Sequence, residues 1–349
     1  MTEFLLFVLI LAIMIIGHEF GHFLAAKATG VKVEEFGLGF PPRLATLFEW
    51  GGTKFTLNAI PFGGFVRPSG EDDPDVPGGL SAASKKVRTV VLLAGPFANV
   101  ILAFLAFTLA YKIAAPDPSR VLVTQVDPGS PGAAAGLQAG DLILDVNDQP
   151  VTGFTSLQQV VDANKGQMIS LTVSRQGQTI HASLVPRESP PANQGPIGIT
   201  LGNPVLNMGL LQAADQGVQS TFGQIDAIAR LPARLVAGTA SPDQTRISGL
   251  KGMYDMLAWA GQIDQNTRRP FLTLNLIGVI SIGLAIANLL PFPALDGGRL
   301  MFVFYEAVAG HRISPRYEGL AHAIGFAVLL IIMVYVNLQD FINPISLPH

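Results

Sequence analysis

Three side chains in the first apolar stretch could do chemistry together, those of His18, Glu19 and His22 in the run His18-Glu19-Phe20-Gly21-His22. On a helix, side chains four residues apart share a face. Two imidazoles at that spacing can hold one divalent ion such as Zn²⁺, and the carboxylate one step round can act as a general base. The pattern H-E-x-x-H alone is moderately specific, and its setting sharpens it. Glu19 is the one Asp, Glu, Lys or Arg within Phe4–Ala26. An ionisable group at the centre of a membrane helix costs about 2.5–3.5 kcal/mol on insertion scales. A single histidine there would more often be a structural one bonded to a carbonyl. A histidine, glutamate, histidine trio retained at that cost points to a metal centre.

A catalytic zinc usually takes three protein ligands and a water. There is no cysteine in the chain, so the third must be His, Asp or Glu. The candidates are Glu34, Glu35, the acidic group Glu71–Asp75, Asp296, His311 and His322. Depth favours one of them. His18 lies 14 residues beyond Phe4, about 21 Å along a helix. In a hydrocarbon core of about 30 Å, this leaves the site about 10 Å below the inner face. Asn288 lies 17 residues beyond Phe271 in the third apolar stretch, or about 26 Å. Pro291 and Pro293 must break that helix, and Leu295-Asp296-Gly297-Gly298 can turn a carboxylate back to the metal. Asp296 is the expected third ligand; otherwise it is a turn residue at the helix end. His181, His311, His322 and His349 are expected outside the site.

These groups need a scaffold, and the scarcity of charge says which kind. Only 13% of the 349 residues are Asp, Glu, Lys or Arg, against about 25% in soluble domains. The loss is concentrated in Phe4–Ala26, Val90–Ala110, Phe271–Leu295 and Leu320–Asn337. Each approaches the roughly 20 apolar residues that cross a bilayer. A net charge of −3 and the lack of a basic patch exclude a nucleic-acid partner. The N-terminus has no Lys or Arg before the apolar run, so the first helix is expected to be retained rather than cleaved as a signal peptide. Eight Lys and Arg fall between Lys27 and Arg88, and three more are Arg299, Arg312 and Arg316. By the positive-inside rule these two loops are cytoplasmic. Both termini and the long segment 112–270 are then extracytoplasmic.

Three stretches between the helices carry their own signals. Val31–Phe36, Leu44–Trp50 and Lys54–Ile60 read as strands, with Gly51-Gly52 as a hairpin turn. Gly37-Leu38-Gly39-Phe40 spells the carboxylate-binding loop of eukaryotic PDZ domains, here by coincidence. A specific likeness comes later, in Ser130-Pro-Gly-Ala-Ala-Ala-Gly-Leu137, Gly140-Asp141-Leu-Ile-Leu-Asp-Val-Asn147 and Pro150-Val151. This run resembles bacterial PDZ domains over about residues 118–187. The resemblance implies a groove, with Gln158–Ala163 as its helix, that takes an extended peptide or a C-terminus by strand addition. Otherwise the domain is a plug or spacer. Leu210–Leu235 has rough helical spacing and could lie on the membrane surface or against the PDZ domain.

The expected fold is therefore a membrane α-helical one. It has four transmembrane helices, a membrane-reentrant β-hairpin segment and an inserted extracytoplasmic PDZ domain of the α+β class. The expected divisions are 1–30, 31–88, 89–113, 114–187, 188–270, 271–298, 299–319, 320–337 and 338–349. They are the first helix, the β-rich loop, the second helix, the PDZ domain, a linker with an amphipathic segment, the third helix, a cytoplasmic loop, the fourth helix and an extracytoplasmic tail.

His18–His22, together with Asn288-Leu-Leu-Pro-Phe-Pro-Ala-Leu-Asp-Gly-Gly298 and Gly95-Pro96-Phe-Ala-Asn99, resembles the site-2 protease family of intramembrane zinc metalloproteases. The likeness spans almost the whole chain. It implies that His18, His22 and Asp296 bind Zn²⁺ and that Glu19 is the catalytic acid and base. It implies a multi-pass inner-membrane endopeptidase, active toward the cytoplasmic face, with its PDZ domain in the periplasm. Its partners would be the lipid bilayer and a single-pass membrane protein of the anti-sigma-factor kind, or a remnant signal peptide. Asn288 and Asn99 would contact substrate or oxyanion, or else act as helix-packing groups. The better-known bacterial members carry two PDZ domains where this chain shows one. Ser248-Gly-Leu-Lys-Gly-Met253 departs from the Ser-Gly-Pro-Val-Gly-Ile often found before the third helix. A metal transporter is the alternative of a different class, but it should show several polar helices or an internal repeat. A non-catalytic PDZ-bearing membrane scaffold would not need Glu19.

Overall fold

The computed structural model describes residues 2–71, 73–192, 194–239, 246–267 and 269–345. Asp72 and His349, named above, lie outside the described residues. The chain divides into two compact units, one of residues up to Ile113 and from Gly209 onward, the other Ala114–Met208.

Four helices of the first unit are long and apolar enough to cross a membrane: α1 (Thr2–Ala28), α2 (Lys85–Ala114), α7 (Phe271–Leu289) and α9 (Pro315–Ile342). Several ends differ from the expected ones. α7 stops at Leu289, because Leu290 is already extended ahead of Pro291. α9 begins at Pro315, where a proline fits the first turn of a helix. Of residues 299–319, expected as a loop, 299–309 are helical and 315–319 already belong to α9. The first run lies in α8 (Asp296–Ala309), which ends where Gly310 takes the left-handed conformation at φ 77°.

The hairpin is formed by β1 (Val33–Trp50) and β2 (Thr53–Pro68). Its turn, Gly51-Gly52, has positive φ at both positions, as a tight two-residue hairpin demands. Each of Glu35, Phe36, Gly37 and Leu38 has two partners on β2, one within Lys54–Leu57 and one within Gly64–Arg67. Residues 35–38 thus run down the middle of the sheet. Gly37-Leu38-Gly39-Phe40 is part of this ladder. Phe23 at the end of α1 packs among Phe36, Phe55 and Val33, which ties the hairpin to the helix that carries His18 and His22.

Two helices lie in the stretch expected as a linker with an amphipathic segment: α5 (Leu210–Val236), which coincides with the run Leu210–Leu235 of helical spacing, and α6 (Leu250–Thr267). α5 lies along α2 within the same unit. Its small residues Ala213, Gly217 and Thr221 are buried, and a Cβ at Gly217 would come within 2.2 Å of Thr108 Oγ1. Small residues at helical spacing let two helices approach closely. Two further buried acids are used as caps. Asp264 accepts the amides of Leu272 and Thr273 at the start of α7. Asp340 accepts those of Gly249 and Gly252 at the start of α6, and pairs with Arg246.

The second unit is a sheet in the order β7 (Gln178–Leu184), β6 (Ile169–Arg175), β4 (Leu142–Val146), β3 (Val121–Val126), β8 (Ile199–Gly202), with β5 (Gln149–Pro150) beside β4. Helices α3 (Pro131–Ala134) and α4 (Phe154–Ala163) complete it. The unit continues past the expected end at residue 187, because β8 pairs with β3 after an intervening Pro-rich stretch. Val121, Val146, Ile169, Leu171 and Val173 form its fully buried core. Burial opposes ionisation of Asp141, but the two-pronged Arg175 contact and the Gln138 amide prevail and hold its carboxyl below the usual range.

Candidate metal centre

His18 and His22 lie one turn apart on α1, their rings edge to face with centroids 4.8 Å apart. Each ring is oriented by α2 on the side away from its Nε2. His22 Nδ1 is 2.8 Å from the carbonyl of Val91. A carbonyl can only accept, so Nδ1 carries the proton and Nε2 presents a lone pair. His18 Nδ1 lies 3.3 Å from the side-chain amide of Asn99. The oxygen of that buried amide lacks a partner as placed. Turning the amide about its axis, a choice set by hydrogen bonding, lets Oδ1 accept from His18 Nδ1–H. The Asn99 amide thus sits behind His18.

α2 can come this close because of its small residues. A Cβ on Gly95 would fall 2.2 Å from His22 Nε2 and 2.8 Å from His18 Cε1. On the facing helix, a Cβ on Gly21 would fall 2.3 Å from the carbonyl of Ala94. Gly95 and Asn99, one turn apart, therefore supply space and a hydrogen bond to the same pair of rings.

Asp296 arrives from the break between α7 and α8. The chain reverses through hydrogen bonds from Phe292 N–H to Leu290 O, Leu295 N–H to Phe292 O and Gly298 N–H to Leu295 O. A side chain at Gly297 would meet the carbonyls of Leu289 and Leu290 at 2.3 Å, and one at Gly298 that of Phe292 at 2.2 Å. The paired glycines let α8 start directly against the turn. Asp296, in its first turn, points its carboxylate at the imidazoles.

The three ligand atoms form a nearly regular triangle. His18 Nε2 to His22 Nε2 is 3.1 Å, His18 Nε2 to Asp296 Oδ2 is 3.1 Å, and His22 Nε2 to Asp296 Oδ2 is 3.3 Å. With the Nδ1 protons accounted for, three lone-pair atoms face one another and would repel without a cation between them. A tetrahedral Zn²⁺ with bonds of about 2.0–2.1 Å sets its ligand atoms about 3.3 Å apart. The residues therefore fit the ion in donor type, in protonation and in spacing.

The other expected candidates are engaged elsewhere. Glu35 is buried in the hairpin and bonded to Arg43 and Thr56. Glu34 accepts from Ser69, Glu71 pairs with Arg299, and His311 is exposed beside Tyr305. Asn288 donates to the Leu284 carbonyl of its own helix. Among the described residues, His18, His22 and Asp296 form the one group able to hold a metal.

Glu19 is not in the triangle. Its Oε2 accepts the backbone N–H of Val66 at 3.0 Å, and a Cβ on Gly64 would lie 3.6 Å from its Cγ. The β2 stretch that pairs with residues 33–38 on one side thus has its other side against Glu19. Two features escaped the sequence reading, this strand and the space at Gly95. A signal for the second was present, since Gly17-x-x-x-Gly21 overlaps the histidine motif and marks close helix packing.

The profile of Peptidase family M50 matches residues 6–332. The chain is 28% identical to zinc metalloprotease RasP of Oceanobacillus iheyensis, over 97% of this chain and 99% of that one. It is 29% identical to metalloprotease MmpA of Caulobacter vibrioides, over 95% and 93%. Over 24% of its length it is 23% identical to the PDZ domain of an SdrC-like protein of Listeria monocytogenes, covering 87% of that domain at a TM-score of 0.22. With the family profile covering nearly the whole chain, the protein belongs to peptidase family M50, and it is an integral-membrane, zinc-dependent metalloprotease of the site-2 type.

Proposed function

We propose that His18, His22 and Asp296 hold the zinc, that Glu19 moves the proton, and that the enzyme cuts within the transmembrane segment of single-pass membrane proteins. The observation that carries this reading is the triangle of ligand atoms with the Glu19 carboxylate on the next residue of the same helix. Zinc, when bound, polarises the scissile carbonyl and lowers the pKa of a water toward about 7. Glu19 takes the proton of the attacking water and delivers it to the leaving amine. Val91 and Asn99 hold the imidazoles in orientation throughout. Asn288 is the amide we assign to the substrate backbone.

A helical substrate hides its amides in its own hydrogen bonds, and backbone unwound in lipid needs new partners. We assign that task to the hairpin, as a membrane-reentrant element whose β2 edge beside Glu19 adds the substrate as a strand. Support comes from Val66, whose N–H points away from β1 toward Glu19. Val66→Pro removes that N–H, and edge positions tolerate proline. Cleavage should fall by roughly tenfold, the worth of about one hydrogen bond, while zinc content is unchanged. Parental cleavage by Val66→Pro would discard the clamp.

By the distribution of Lys and Arg, the site lies toward the cytoplasm and residues 114–208 lie in the periplasm. There the PDZ unit would screen out bulky periplasmic domains or hold a C-terminus left by an earlier cut. Anti-sigma factors already trimmed by another protease fit this arrangement, as do remnant signal peptides. The test is reconstitution in liposomes with a single-pass substrate, trimmed or untrimmed. A cut inside the transmembrane segment, abolished by a chelator and restored by zinc, is expected. Zinc-loaded protein that cuts only outside the transmembrane segment would overturn the proposed cleavage within it.

A further inference from the structure

α9 contributes no ligand to the triangle, and most of its apolar side chains are exposed. At one point it grips the turn that delivers Asp296. The backbone N–H of Ala294 donates to His322 Nδ1 at 2.9 Å. One turn along α9, a Cβ on Gly325 would fall 2.5 Å from the carbonyl of Pro293. The His322 ring also stands edge-on to Phe302 of α8, with centroids 5.4 Å apart. The ring therefore joins the turn to the helix that Asp296 begins.

The gripped residue is the unusual one. Ala294 has φ 80°, a left-handed conformation that residues with a Cβ seldom adopt. Such a conformation persists when its surroundings over-determine it. Ala294 stands two residues before Asp296, so any relaxation there swings the carboxylate relative to His18 and His22. The α1 imidazoles are held by α2; the turn that leads to Asp296 is held by α9.

We propose that His322 is a positioning residue for the metal centre: by accepting the Ala294 amide it fixes the left-handed turn, and so sets Asp296 Oδ2 opposite the two imidazoles. The proposal rests on the reading of Asp296 as a zinc ligand. It adds a functional role for the fourth helix that does not involve substrate contact.

The test is zinc release to a chromogenic chelator from the full-length protein in detergent, with melting followed in parallel. His322→Phe keeps an aromatic ring edge-on to Phe302 but has no acceptor. It should release zinc roughly 10–100 times faster, the usual effect of losing a partner that orients a ligand. His322→Asn can place an oxygen where Nδ1 lies and should stay near the parental rate. His322→Gln extends its oxygen to the Nε2 position and should behave like Phe. Since Asn and Gln are similar in polarity, this pair decides the matter even if the Phe variant fails to fold. Parental release by the Phe or Gln variant would overturn the proposal, as would an Asn variant as fast as Gln. Asp296→Asn serves as the control on the underlying reading. If it retains zinc like the parent, Asp296 is no ligand and both ideas fall. If it loses zinc while the Phe and Gln variants do not, only the role of His322 falls.

Discussion

Glu19→Gln is expected to keep its zinc and to lose cleavage by about 10²–10⁴-fold, the range for removal of a general acid or base. The amide has the size of the carboxylate and can still accept the Val66 N–H that Glu19 Oε2 accepts at 3.0 Å. What it cannot do is carry a proton between the water and the leaving amine. Because Glu19 lies outside the triangle of Nε2 and Oδ2 atoms, its substitution leaves the proposed ligand set whole. Elemental analysis for zinc, beside cleavage of a single-pass substrate, separates the outcomes. Zinc lost together with activity would make Glu19 a ligand. Activity retained with zinc would remove it from the chemistry.

Gly95→Ala should act on the metal instead, disrupting the proposed zinc site while leaving the helix intact. In a helix interior Ala is favoured over Gly by about 1 kcal/mol, so propensity alone predicts a benign change. The structure predicts otherwise. The new Cβ would lie 2.2 Å from His22 Nε2, 2.6 Å from His22 Cε1 and 2.8 Å from His18 Cε1, all inside van der Waals contact. The rings must turn away, and Nε2 to Nε2 and Nε2 to Oδ2 distances of 3.1–3.3 Å cannot survive. Zinc affinity should fall at least as far as the roughly 10–100-fold seen when a group that orients a ligand is removed, and cleavage should fall with it. Helical content by circular dichroism should be unchanged. Gly283→Ala on α7 meets nothing within 4 Å and should retain both zinc and activity. A Gly95→Ala protein with full zinc would show that α2 does not approach the rings as described.

Much of this was legible from residue order because it depends on local periodicity and on chemistry that tolerates few side chains. Four charge-poor stretches mark the four long helices. Two histidines four apart fall on one face whatever surrounds them. The paired prolines after Asn288 must end α7, and Gly51-Gly52 must turn. Less legible were the features that depend on distant partners. Residues 299–309 carry no helix signal as strong as the membrane spans, yet Asp296 and Gly310 bound a helix there. Ile199–Gly202 is too short to read as a strand until β3 is beside it. Glu35, a reasonable ligand by type, is bonded to Arg43 eight residues on and to Thr56 across the hairpin.

The amino-acid sequence by itself determined which groups are available: two imidazoles and a carboxylate on one helix turn, a second carboxylate beyond a broken helix, and an apolar chain to enclose them. These follow from side-chain type and from the fixed pitch of a helix. Only the tertiary structure decided which groups work together. Asp296 reaches the histidines and Glu35 does not; Val66 meets Glu19; Asn99 and Gly95 stand behind the rings; His322 holds the turn. The physical reason is reach. Hydrogen bonds and metal ligation act over about 3 Å, whereas His18 and Asp296 are 278 positions apart in the chain. Close packing of small residues such as Gly21, Gly95, Gly297 and Gly325 closes that gap, and the identity of the facing atom cannot be read from either residue alone.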